Sequence, residues 1–411
     1  MAVLAPRPGL AALLLAASLG AGLSGCRSKP TSDDVTSRSW AEIEKAARGQ
    51  TVSWMMWQGD PLINAYVQKW VAPRLLQSHG ITLQTVSGQG NVIVSALMTE
   101  KEAGKAESEI DLVWINGETF YQLRQIDALF GPFTETLPNS RGIDFENPFI
   151  RFDFQQEVKG FECPWGNVQL AIICDAERTP DPPRTRAALL AWARKNPGRF
   201  TFDNAFTGMT LLKSWLIDVA GGPQALAGPF DGARYATHSA ALWAYVNELK
   251  PYLWKRGETF PTGVAQVHQL VASGEVDFTL SNNDGEVDNK VLQGLFPDSA
   301  RAFVFERGTI QNTHYVGIPR RARHKAAALV VANLLISPEA QYEKLKPSVW
   351  GDGTVLATAR LPEKWRAKFE DVPERKHAPK RSEIQPHALM ELAPEYMIRL
   401  YKDFRKHVLE S

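Results

Sequence analysis

Residues 51–90 carry two hydrophobic periods in succession. Val52, Trp54, Met55, Met56 and Trp57 form a short apolar run that Gly59 ends, which predicts a buried strand. Leu62, Ile63, Tyr66, Val67 and Trp70 then recur at threes and fours, which predicts a helix. The run ITLQTV predicts a second strand, closed by Ser87, Gly88, Gln89 and Gly90. A strand–helix–strand unit makes parallel strands, and ligands gather at their carboxyl ends. Two polar, glycine-bearing loops, Gln58-Gly59-Asp60 and residues 87–91, therefore share one rim.

The pattern repeats. Residues 91–105 predict a helix, and 110–115 (IDLVWI) a third strand with Asn116-Gly117-Glu118 as its exit loop. Residues 119–129 complete the unit as a helix, and 131–154, rich in Pro, Asn and Phe, read as surface loop. A strand at 168–174 follows Trp165. Prolines crowd 175–183 and the register changes, which places a crossing between domains near residue 175. The second domain is expected to hold a strand at 199–202, helices at 209–220, 239–249 and 263–273, a strand at 276–280 and a polar loop at 281–286. After a helix at 287–295 and a strand at 301–305, residues 313–318 predict a strand returning between the domains. A helix at 325–335 follows, and the tail from 347 to 411 is expected to pack across the outside. The expected division is thus 50–175, 176–312 and 313–411.

A chain of 411 residues can bury two cores, and its net charge of +1 without basic blocks argues against a nucleic-acid surface. No nucleotide-binding, hydrolase or redox motif stands in a usable context. The eight histidines are scattered, so no metal cluster follows from their spacing and no cofactor is expected. At the N-terminus, Arg7 precedes an apolar run at 11–19 and then Leu23-Ser24-Gly25-Cys26. That is a secretion signal covering 1–25. A cysteine so placed resembles the lipobox of bacterial lipoproteins, which implies lipidation of Cys26 and a tether over 26–49. An ordinary signal peptide with a chance cysteine is the alternative; the run is short for a membrane span. Cys163 and Cys174 can form a disulfide outside the cytoplasm, or sit apart as two small buried apolar residues.

Three features carry a family resemblance. A Pro-bearing strand, CPWGNVQLAIICD, is followed by Pro182-Pro183-Arg184-Thr185 before a helix. The helix at 325–335 is followed by Ile336-Ser337-Pro338-Glu339-Ala340-Gln341. Trp114-Ile115-Asn116-Gly117-Glu118, Ala191-Trp192-Ala193 and Asn283-Asp284-Gly285 add finer matches. The chain resembles solute-binding proteins of bacterial ABC importers, and at this finer grain the YnjB-type family. The resemblance implies an α/β, two-lobed periplasmic-binding-protein fold of type II, each lobe a mixed sheet flanked by helices, with the ligand cleft between. It implies no catalysis and a small-molecule solute, with thiamine or another flat cation as first choice and a sugar as the alternative. It also implies a permease dimer with a cytoplasmic ATPase as partner, a monomeric chain, and a location in the periplasm or at the cell surface, anchored by lipid. A sensing lipoprotein and an extracytoplasmic enzyme on the same scaffold are the rival classes.

The expected ligand residues follow from the loops. Lobe one offers Trp57, Gln58, Asp60, Gly88, Gln89, Gly90, Asn91, Asn116 and Glu118, with Trp165 near the hinge. Lobe two offers Asn204, Asn283 and Asp284, and the return strand offers His314. Each has a plainer role open to it: Asp60 before Pro61 is a standard helix cap, and Asn283-Asp284 can be a solvated turn.

Overall fold

The computed structural model describes residues 32–410. Cys26 and the expected signal segment lie outside the described residues. Strand β1 (Thr51–Met56) is buried on both faces, as a parallel strand must be. Val52, Trp54 and Met56 face one core with the apolar helix Lys325–Leu335, while Met55 faces another with Ile93, Leu97, Val113 and Ile115. That split is the two-residue period of a strand. β2 (Thr82–Ser87) and β3 (Leu112–Ile115) pair with β1 on either side, both parallel to it. The chain adds β4 (Leu129–Phe130), the small hairpin β5–β6 (Phe152–Asp153, Gln156–Glu157) and β7 (Cys163–Gln169).

β8 (Ala171–Asp175), β9 (Phe278–Ser281) and β10 (Ala300–Phe303) form a separate antiparallel sheet with β8 in the middle. The chain then returns through β11 (Thr309–Pro319), buried at all of its positions, which pairs antiparallel with β3, β4 and β7. β12 (Ala388–Leu389) adds parallel to the start of β11. The result is the two-lobed type II periplasmic-binding-protein fold, with two mixed or antiparallel sheets flanked by helices. Because β8 belongs to the second sheet, the outward crossing falls at Leu170, not near residue 175.

Other expectations change too. Residues 199–202 do not pair as a strand. Their backbone is tied to loops, Asp277 N donating to Arg199 O and Trp254 N to Phe200 O, while Phe200 and Phe202 fill the lobe-two core. The helix expected over 61–80 is interrupted by a π turn at Tyr66–Val71, two residues before Pro73, whose ring nitrogen has no proton to donate. The stretch 131–154 is not a surface loop. Phe133, Leu137, Ile143, Ile150 and Phe154 are buried, and its irregular backbone is held by Asn139 N and Nδ2 bonding to Asn333 at 2.9 and 3.0 Å. In the expected tether, Val35 packs into the lobe-one core.

Cys163 and Cys174 are free and buried. They lie in the cores of different lobes, separated along two nearly continuous strands. At about 3.3 Å per residue that is far beyond the roughly 7 Å a disulfide spans between Cα atoms. Among the described residues, no helix is long and apolar enough to cross a membrane.

Candidate ligand-binding site

A cavity of about 530 Å³ lies between the lobes. In lobe one it is built by the loops leaving β1, β2 and β3. After β1, Trp57 and Asp60 line it. Asp60 Oδ1 caps the next helix, accepting from the backbone N–H of Leu62 and Ile63 at 2.7 and 3.0 Å. After β2 come Gln89, Gly90 and Asn91. Gly90 has φ +52, and no side chain caps the helix Asn91–Glu102; the N–H groups of Val92 and Ile93 turn back onto the carbonyls of Gln89 and Gly90 at 3.0 and 3.1 Å. After β3, Asn116, Glu118 and Thr119 line the cavity at another helix start. Gly117 is required there, because a Cβ would lie 2.0 Å from the Phe154 ring.

The wall at the hinge is aromatic. His314 on β11 stacks on Trp350, 5.5 Å between centroids at 20°, with Trp114 at 5.0 Å and Trp165 at 5.1 Å. His314 Nε2 lies 3.2 Å from Asp352 Oδ2, which also takes the Lys344 ammonium at 2.6 Å. Burial opposes the charge on Asp352, but His314 and Lys344 outweigh it and hold the carboxyl below its usual range. Gly166 makes this packing fit: a Cβ there would stand 1.9 Å from His314 Nε2 and 2.2 Å from Asp352 Oδ2. Gly166→Ala is therefore expected to displace His314 and weaken ligand binding at least tenfold. Titration calorimetry of the variant against wild type checks this; unchanged affinity would show that this pair does not shape the cavity.

Lobe two contributes residues 203–207, 262–265 and 281–283, with Glu286 and Asn289. Asp203 Oδ1 accepts from Ala205 N at 3.0 Å, and Asn282 Nδ2 donates to Thr207 Oγ1 at 3.0 Å. Burial works against ionisation of Glu286, but His268, Lys290 and Ser281 outweigh it and hold its carboxyl far below the usual range. Lys290 of lobe two also pairs with Asp60 of lobe one, and both side chains are buried. A second tie joins the lobes through the Trp350 carbonyl, which accepts from the side-chain amides of Asn283 and Asn289.

Of the expected ligand residues, the structure brings Trp57, Asp60, Gln89, Gly90, Asn91, Asn116, Glu118, Asn204, Asn283 and His314 to the cavity. Four do not line it. Gln58 is turned aside, its carbonyl taking Asn64 Nδ2 at 3.0 Å. Gly88 is a packing glycine against Met55. Trp165 is wholly buried behind the wall, at 4.8 Å from Trp114 and 5.4 Å from Trp54. Asp284 is buried under Arg375 and Arg381 and accepts from Gln169 N at 3.1 Å. Missed altogether were Asp203, Glu286, Trp350, Asp352 and Tyr401. The last three belong to the tail expected on the outside. The segment Trp350-Gly351-Asp352 repeats the Trp-and-Asp turn of residues 57–60, which was the available signal. Among the described residues, no group of three or more His, Cys, Asp or Glu is placed to hold a metal ion.

Comparison with known proteins agrees with this architecture. Residues 69–373 match the family described as bacterial extracellular solute-binding protein. Protein YnjB of Escherichia coli (strain K12) is 39% identical over 335 residues, covering 80% of this chain and 86% of that protein. Two solved structures share the fold at low identity. The periplasmic binding protein AfuA of Actinobacillus pleuropneumoniae, with fructose-6-phosphate bound, has TM-score 0.62 and 13% identity, covering 88% of this chain and 99% of that one. The spermidine/putrescine substrate-binding protein PotD of Streptococcus pneumoniae has TM-score 0.58 and 15% identity, covering 87% and 99%. AfuA holds fructose-6-phosphate and PotD is named for spermidine and putrescine, so the shared fold does not fix the solute. The chain belongs to the bacterial extracellular solute-binding proteins, the non-catalytic, extracytoplasmic components of ABC importers.

Proposed function

We propose that this protein captures a small, flat, cationic solute of the thiamine type between its lobes and passes it to a membrane permease driven by a cytoplasmic ATPase. The observation that carries this is the charge of the wall. Asp60, Glu118, Asp203, Glu286 and Asp352 line the cavity and outnumber the lining base His314 together with the ammoniums of Lys290 and Lys344 behind the wall. Trp57, Trp114, Trp350 and Tyr401 supply aromatic faces, which attract cations as well as flat rings. The helix beginning at Asn91 and that beginning at Val264 start at the cavity without side-chain caps. The positive ends of their dipoles favour a carbonyl or anionic group at another part of the same solute. Cys26 would tether the monomeric chain to a membrane by lipid.

The test is a thermal melt of protein stripped by unfolding and refolding, against thiamine, spermidine, maltose and glucose 6-phosphate. A cation should raise the melting temperature and saturate at micromolar concentration. A shift produced only by maltose or by the phosphate would replace the cationic solute with a neutral or anionic one.

A further inference from the structure

The cavity's acids are not equivalent. Lys290 already serves two of them, pairing with Asp60 and standing 3.2 Å from Glu286. Asp352 shares its charge with Lys344 and His314, although its Oδ1 makes no hydrogen bond. Glu118 and Asp203 remain. Their residues are 8% and 0% exposed, and Glu118 Oε2 and Asp203 Oδ2 are buried without a hydrogen-bond partner. A buried acceptor left unpaired is destabilising. Both residues line the cavity, where a solute can reach them.

They come from opposite lobes. Glu118 sits in the first turn of the helix Gly117–Gln125, and Asp203 precedes the helix Phe206–Val219. Tyr401, on the helix Pro394–Phe404, lies beside both. Burial first, then the charges of Glu118 and Asp203, push its phenol well above the usual range. Tyr401 also lines the cavity. Behind Glu118 stand Lys213, Glu391 and Asp153, but the Lys213 ammonium bonds Glu391. His268 faces Asp203 while its own closer partner is Glu286.

We infer that Glu118, Asp203 and Tyr401 form the subsite for the solute's cationic nitrogen, with one carboxylate from each lobe receiving its charge or N–H groups beside the phenol ring. This rests on the cationic-solute reading above. The subsite is complete only when the lobes meet, so the cation would favour the closed state over the open one. Asp60 and Glu286 are excluded from this role by the chain's own ammonium. Burial pushes the Glu118 carboxyl up to about 7, against the pull of Lys213 and with Glu391 reinforcing it. A bound cation must hold it ionised. Affinity should therefore rise with pH through this range and fall as Glu118 takes up its proton.

The test uses calorimetry with thiamine and spermidine on wild type, Glu118→Gln and Asp203→Asn, at several pH values between 5.5 and 8. Each substitution should weaken the cation that wild type binds by about ten- to a hundredfold, the loss expected for one charged hydrogen-bond partner. The pH slope should flatten in Glu118→Gln alone. Melts without ligand supply the control: both variants should match or exceed wild type, because each removes an unmet buried charge. If wild type binds a cation and both variants bind it equally well, this subsite is wrong and the cationic-solute reading stands. If wild type binds maltose or glucose 6-phosphate and neither cation, both fall. If neither cation binds at all, the subsite is likewise abandoned. A large drop in ligand-free stability of both variants would make the two carboxylates structural and overturn the assignment.

Discussion

Lys213→Met is expected to lower folding stability by about 3–5 kcal/mol, the usual cost of removing one partner of a buried ion pair. Lys213 stands in the middle of the helix Phe206–Val219 with no exposed surface, and its ammonium meets Glu391 at 2.5 Å over the Phe154 ring. Its surroundings are otherwise acidic. Glu118 and Asp153 feel its charge, and Asp153 in turn couples to Glu162, whose two oxygens have no hydrogen-bond partner outside that pair. Burial holds the carboxyls of Asp153, Glu162 and Glu391 above their usual range even with the lysine present. Without it, nothing within the cluster balances Glu391. The sign with pH follows. Removing the cation raises the Glu391 pKa further, so the variant binds a proton on folding that wild type does not need. Its deficit should be largest at alkaline pH and shrink as pH falls and Glu391 protonates. Urea midpoints at pH 8 and pH 5 check both size and sign. Glu391→Gln added to Lys213→Met should recover a large part of the loss in a double-mutant cycle. A loss below about 1 kcal/mol for the single variant would mean that the pair is not holding this region together.

Lys290→Met carries the second large effect, and it reads out shape as well as stability. Lys290 and Asp60 are 4% and 7% exposed in their side chains and come from different lobes. Removing the ammonium leaves Asp60 with only its two backbone donors and Glu286 with only His268 and Ser281, at a cost of about 3–5 kcal/mol in the closed arrangement. The protein has a way to reduce that cost which Lys213→Met lacks. It can part the lobes and let water reach both carboxylates. The variant should therefore melt earlier and show a larger radius of gyration by X-ray scattering in the absence of ligand. If scattering is unchanged and the melting temperature moves by less than about 2 °C, the pair is not a latch between lobes.

Much of the first sheet was legible because its signals are local. The period-two face of β1 and the glycine loops after β1, β2 and β3 can be read from neighbouring residues. So can the apolar helix Lys325–Leu335, whose limits agree with the structure. What escaped was decided at long range. Asp284 sits in an Asn-Asp-Gly turn that looks solvated, until Arg375 and Arg381 arrive from far along the chain to bury it. Trp165 was expected to meet the ligand near the hinge, yet three other tryptophans and His314 enclose it. Tyr401 lies on an amphipathic helix whose partners, the helices Phe206–Val219 and Gly117–Gln125, belong to both lobes. No periodicity in the tail could indicate that one of its tyrosines would reach the cavity.

The path of β11 has a consequence for the order of assembly. The first sheet takes β1 to β3 from the beginning of the chain and β11 from beyond residue 308, and everything from Ala171 to Phe303 that builds the other sheet lies between them. Lobe two is thus an insertion within lobe one. Its own strands pair over shorter separations, such as Ala171 with Ser281 and Asp175 with Ala300, than Ile115 with Tyr315 across β3 and β11. The N-terminal strands, though first to emerge, must wait for a partner almost two hundred residues downstream from β3. Long-range closure of this kind is slow and leaves strand edges open in the interval. The half of the molecule synthesised first is therefore the half that finishes folding last.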